Sequence, residues 1–123
     1  SQATTWLKIV ARGTSELAAP AATLGAMSLL EIVVTPMDKA LAEAEKKISS
    51  WGTWGSEVRR FDWQWSGTEE AYILEGEATI TPTGKFASCK EVTIKAGDFC
   101  IFPDGMTCVW NVTKAISKHY NYP

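Results

Sequence analysis

An all-β sandwich or barrel is the fold class this sequence predicts, on three observations. Short runs of β-branched and aromatic residues recur about every 8–12 residues with polar Gly- and Pro-containing turns between them, the spacing of a multi-stranded sandwich or barrel. One of these runs alternates strictly: Phe61, Trp63 and Trp65 fall on one face, and Arg60, Asp62 and Gln64 on the other. That period of two is a half-buried strand, with its aromatics on the inward face. Helical spacing appears in one stretch, where Met37, Leu41, Ala44 and Ile48 recur with Glu43, Glu45, Lys46 and Lys47 mostly opposite.

In chain order, residues 1–27 are rich in Ala, Ser and Thr and cannot bury a core of their own. They read either as a tail or processed targeting remnant, or as an arm that docks on a partner through Trp6, Leu7, Ile9 and Val10. Residues 28–123 form the folded domain. Leu29–Val34 reads as its first strand. Thr35 as N-cap, Pro36 at the first helical position and Asp38 two residues on predict a helix that ends near Ser49–Ser50 and lies across one end or side of the barrel. Trp51–Gly55 reads as a loop holding two aromatics between glycines. Beyond the alternating strand, Glu69–Glu75 turns at Gly76–Glu77, Ala78–Thr81 continues the sheet and Pro82–Lys85 makes a further turn. Glu91–Lys95, Asp98–Phe102, Met106–Val112 and Ala115–Tyr120 complete the strands.

Composition bounds the partners. A chain of 123 residues with 46% hydrophobic content supports one core. Net charge is −2 with the signs mixed along the chain, so nothing marks an electrostatic nucleic-acid surface. No apolar run approaches the ~20 residues of a membrane helix, which predicts a soluble protein, and no intact hydrophobic signal peptide is visible. Three cysteines, an odd number without C-x2-C spacing, predict a reducing compartment rather than a disulfide framework.

The chemistry sits in two stretches, residues 63–76 and 97–112. They resemble the two sequence motifs of the cupins, small jelly-roll β-barrels whose metal-binding members read H-x-H-x3-E-x6-G and G-x5-P-x-G-x2-H-x3-N. Glu69, Gly76, Gly97, Pro103 and Gly105 match in identity and spacing. The three histidine positions hold Trp63, Trp65 and Cys108, and the asparagine position holds Val112. The resemblance implies a cupin-type jelly roll over about Leu29–Tyr122, capped by one short helix, with its metal site lost. Indole has no lone pair to offer a metal, so no cofactor is expected. Glu69, Cys108 and His119, the lone histidine, are the residual donors for zinc.

Without metal, Glu69 and Cys108 remain the catalytic candidates. A carboxylate enclosed by tryptophans is pushed toward general-acid use by desolvation. Cys108 can act as a nucleophile if a base or positive charge activates it. Against this, Glu69 reads as a paired structural carboxylate, with Lys118 as the salt-bridge partner, and Cys108 as a small core residue. Trp63, Trp65, Tyr72 and Trp110 either line a pocket with Glu69 and Cys108 for a flat, sugar-like or cationic ligand, or fill the barrel in place of a metal.

Phe61-x-Trp63, Glu70–Gly76, Phe102–Gly105, Cys108–Val112 and Lys118–Tyr120 resemble the small single-domain cupins labelled ureidoglycine-aminohydrolase-like. The enzyme behind that label is manganese-dependent, and its ligands are matched here only at Glu69. Some plant members of this group resemble components of plastid transcription machinery. Two functions follow as expectations. The first is a non-catalytic accessory subunit of a larger assembly, in the plastid stroma or alternatively the cytoplasm, with protein subunits as partners and a homodimer through the N-terminal arm, the helix Pro36–Ile48 or the barrel edge. The alternative is a cupin that binds or slowly transforms a small molecule beside Glu69 and Cys108.

Overall fold

The computed structural model describes residues 30–123. The arm residues Trp6, Leu7, Ile9 and Val10 lie outside the described residues. In order, the elements are β1 (Val33–Pro36), α1 (Lys39–Lys46), β2 (Gly52–Ser56), β3 (Arg59–Gln64), β4 (Glu69–Pro82), β5 (Val92–Lys95), β6 (Asp98–Phe102) and β7 (Thr107–Asn121). Every strand pairing is antiparallel.

Two long strands frame the barrel. β4 pairs with β6 through residues 69–72 and with β5 through residues 77–80. β7 pairs with β3 through residues 107–112 and with β2 through residues 116–120. β4 and β7 also pair with each other along their length. The midpoint where both exchange partners divides the strands into two groups, β1-β6-β4-β7-β2 and β5-β4-β7-β3. One continuous core fills the space between them. Ala71, Ile73 and Cys100 come from the first group, Ala78, Ile80 and Val112 from the second. The chain is an all-β jelly roll, as the strand spacing predicted.

The midpoint corrects two expectations. Gly76–Glu77 is not a turn, and residues 106–112 and 115–120 are not separate strands. Register shifts between Ile73 and Ala78 make a bulge that bends β4 without reversing it. Gly76 sits there at φ 86°, and a Cβ on it would lie 2.1 Å from the Ala115 carbonyl oxygen. The glycine permits close approach of two backbones.

The first elements also differ from the sequence reading. The first strand is Val33–Pro36, because these are the residues that pair with β6. Pro36 therefore ends an edge strand, a place that tolerates a missing N–H, and does not open the helix. Asp38 is the N-cap, accepting from the amides of Ala40 (3.0 Å) and Leu41 (3.4 Å). The short helix buries Ala42, while Leu41 and Ala44 of the expected inward stripe are exposed. Ala42 and Ile48 cover Tyr72 and Phe99, cross-strand partners on the outer face of β4 and β6. The helix thus closes one side of the barrel.

Trp51–Gly55 is mostly strand rather than loop. Gly52 lies directly opposite Tyr120, whose ring would come within 2.7 Å of a Cβ at position 52. A ring laid over a cross-strand glycine stabilises a pairing that alternation does not reveal.

Candidate functional site

One mouth of the barrel opens into a cleft of about 240 Å³ lined by Trp54, Phe61, Trp63, Glu69, Trp110, Lys118, Tyr120 and Tyr122. The strand period builds it. Lys118 and Tyr120 alternate inward along β7, Phe61 and Trp63 along β3, and Glu69 starts β4. Trp54 packs edge-on to Trp110 (centroids 5.7 Å apart) and to Phe61 (6.2 Å), and Phe61 stacks on Trp110 at 5.9 Å. Rings joined edge-to-face and stacked hold one another in place.

The floor is a buried ion pair. Lys118 Nζ donates to Glu69 Oε2 at 2.5 Å. Glu69 Oε1 accepts from Trp65 Nε1 at 2.9 Å and from the Tyr122 hydroxyl at 3.0 Å. Both oxygens of the carboxylate are therefore engaged, which offsets the cost of removing it from water. The Lys118 ammonium also lies 5.1 Å from the ring centroids of Trp54 and Trp110 and 5.5 Å from that of Phe102. The chain's own cation thus occupies this aromatic box. Burial, and then the Glu69 carboxylate, push the Tyr122 hydroxyl up to about 12. It stays a neutral donor at physiological pH.

The structure brings together only part of the expected set. Trp63, Glu69 and Trp110 line the cleft. Trp63 is 46% exposed at the rim, not enclosed as its inward alternation implied, because the barrel is open there. Trp65 is buried beneath the cleft, stacked on Phe102 at 4.5 Å and bonded to Glu69. It fills the barrel and supports the carboxylate without facing the cleft. Tyr72 belongs elsewhere: it points to the opposite face of β4, packs under α1 and donates to the Met37 carbonyl at 2.8 Å. Cys108 borders a second, shallow depression with Asp62, Trp63, Gln64, Thr83, Thr107 and Val109. Burial pushes its thiol up to about 12, with the Asp62 carboxylate adding to the rise, so the nucleophilic thiolate is suppressed.

Lys118 is the partner of Glu69 that the sequence suggested. Trp54, Phe61, Tyr120 and Tyr122 were missed as site residues. Trp54 sits in the segment read as a loop. The alternation of Lys118, Tyr120 and Tyr122 at the chain's end was the available signal for the tyrosines.

The cupin scaffold raises the question of a metal, and these donors do not fit one. Trp63 and Trp65 present indoles, the Cys108 thiol is held protonated, and Glu69 is already committed to three donors. His119 falls on the face of β7 opposite Lys118, its Nδ1 3.2 Å from the Thr53 hydroxyl. Among the described residues no group of three His, Cys, Asp or Glu side chains could hold a metal ion. Nor is any helix among them long and apolar enough to cross a membrane.

Comparison with known proteins places this geometry in a family. A family model described as EutQ-like cupin domain matches residues 43–120. A DUF861 family protein from Thermotoga maritima, solved by crystallography, is 31% identical, with a TM-score of 0.67 over 76% of this chain and 100% of that one. The Clostridium difficile EutQ protein is 19% identical, with a TM-score of 0.50 over 75% of this chain and 68% of that one, a likeness of fold alone. Among curated proteins, none matches. By the matched span, which is more than half of the chain, and by its jelly-roll architecture, the protein belongs to the EutQ-like cupin domain family.

Proposed function

We propose that the protein is a metal-free cupin that binds a small molecule in the aromatic cleft, without catalysing a reaction there. The observation that carries this reading is the pre-built cleft, whose apolar walls converge on the Lys118–Glu69 pair. Binding sites are concave and mostly apolar, with few fixed polar groups, and this cleft has that composition. Its volume of about 240 Å³ lies below the ~300–1,000 Å³ typical of drug-sized ligands, so the ligand is small. General-acid and nucleophile roles lack support. Glu69 is held as a paired carboxylate, and Cys108 borders a different depression, where the Asp62 carboxylate raises its thiol rather than activating it.

The finer likeness to ureidoglycine-aminohydrolase-like cupins enters here as a likeness of scaffold. That manganese-dependent chemistry needs ligands at positions where this chain has Trp63, Trp65 and Cys108. An accessory role in a larger plastid assembly remains a separate proposal. It depends on residues 1–27, and its test is whether deleting them releases the protein from its native complex while leaving cleft binding unchanged.

Cleft binding is tested by titrating a library of small planar fragments while recording the indole N–H signals of the tryptophans by NMR. Saturable shifts confined to Trp54, Trp63 and Trp110 are expected. They should weaken at least tenfold in Trp63→Ala, a change at an exposed position that the fold tolerates. Fragments that bind yet leave these signals unmoved would overturn the reading.

A further inference from the structure

We infer that the cleft selects planar, uncharged molecules bearing a carbonyl oxygen, such as aromatic amides, lactams or pyridones. The inference rests on the small-molecule reading above and names its ligand class. It follows from the polar groups at the floor. An ammonium has three N–H donors and no acceptor. Among the described residues, Lys118 Nζ has one hydrogen-bond acceptor, Glu69 Oε2. The ammonium otherwise lies 5.1 Å from the ring centroids of Trp54 and Trp110 and 5.5 Å from that of Phe102, and Lys118 lines the cleft. Donors held this deep favour an acceptor from whatever enters, since a buried donor without one is costly.

Glu69 makes no matching demand. Its two oxygens already accept from Trp65, Tyr122 and Lys118, so a ligand donor would have to displace one of the three. Charge decides the rest. At the floor Lys118 and Glu69 cancel, and the Arg59 guanidinium lies over the Phe61 ring, 4.6 Å from its centroid. An anion entering the cleft would leave its hydration shell for a cation already matched by its own carboxylate. A cation would meet the field of Lys118, which already occupies the aromatic box. A neutral acceptor incurs neither penalty, and a flat ring bearing it can stack against the walls of Trp54, Phe61 and Trp110.

Four single-ring probes separate the possibilities: benzamide as neutral acceptor, benzoate as anion, benzylammonium as cation and toluene as ring alone. Each is titrated into the whole protein while the Trp54 and Trp110 indole signals are followed. Benzamide should bind at least tenfold more tightly than the other three. Lys118→Met should reduce benzamide to the level of toluene. Should that variant fail to fold, the Lys118 ammonium resonance of the wild-type protein should shift on adding benzamide and stay put on adding toluene, and an unmoved ammonium signal would overturn its role. Tightest binding by benzoate or by benzylammonium would overturn the preference for a neutral ligand. Toluene binding as well as benzamide would overturn the role of Lys118. Each of these three outcomes leaves the cleft itself a binding site. Silence from all four probes overturns the inference, and silence from the wider fragment library overturns the small-molecule reading as well.

Discussion

Lys118 and Glu69 meet inside the barrel at 2.5 Å, with their side chains only 7% and 3% exposed. Removing one partner from such a pair strands a charge, whereas removing both charges does not. Lys118→Met should therefore destabilise the protein by about 3–5 kcal/mol. Adding Glu69→Gln should recover most of that loss, because the amide oxygen can still accept from Trp65 and Tyr122. Urea unfolding of wild type, both single variants and the double variant measures the coupling directly. Additive losses would show that the two side chains contribute independently.

Tyr122 links this pair to pH. Its hydroxyl titrates at about 12 in the folded protein against an ordinary 10.0, mainly through burial and then through Glu69. The unfolded chain ionises first as pH rises, so the hydroxyl's contribution to stability is complete below pH 10 and lost between about 10 and 12. Tyr122 is 44% exposed, and solvent screening keeps the effect below about 1 kcal/mol. Wild type should lose more stability across this window than Tyr122→Phe, and the difference between the two curves removes the contributions of Tyr72, Cys100 and Cys108 that both share. Parallel curves would show that the hydroxyl has no linkage to folding.

The sequence made the barrel legible because its strands alternate and its glycines and Pro103 keep motif spacing. The strand Asp98–Phe102 has the boundaries its pattern predicts. What stayed hidden depends on contacts between distant segments. Whether Gly76 reverses the chain or bends it is decided by the Ala115 backbone, 39 residues away in sequence. Gly52 looks like a loop residue until Tyr120 lies across it. Within the site, the motif located Glu69, and residue chemistry suggested Lys118 as its partner. Tyr72 was misplaced because alternation gives two faces without saying which is lined by the cleft, and here the outer face is buried too, under α1.

Gly76 and Gly97 allow backbone strain to be separated from close approach. Both have positive φ, 86° and 95°, but a Cβ at Gly97 meets nothing within 4 Å, while one at Gly76 would overlap the Ala115 carbonyl. Gly97→Ala should cost about 1–2 kcal/mol, the strain of a left-handed alanine. Gly76→Ala should cost well above 3 kcal/mol or prevent folding, since β4 and β7 would have to separate at the bulge. Equal losses in thermal unfolding would mean that the bulge accommodates a methyl group and that its glycine serves conformation alone.

The three thiols should separate by reactivity, and this outcome bears on catalysis. Cys100 and Cys108 are buried, and burial raises both thiols, Cys108 to about 12. At pH 8 the folded protein then holds Cys108 as thiol, whereas thiolate is the form that attacks a disulfide reagent. Cys89 is half-buried, with its sulfur 3.3 Å from the Leu30 carbonyl oxygen. A chromogenic disulfide reagent should therefore label one thiol in the native protein, more slowly than free cysteine because burial raises Cys89 as well, and all three in denaturant. Peptide mapping should place the native label on Cys89. Rapid native labelling of Cys108 would instead mean that the thiol is activated, and would restore it as a nucleophile.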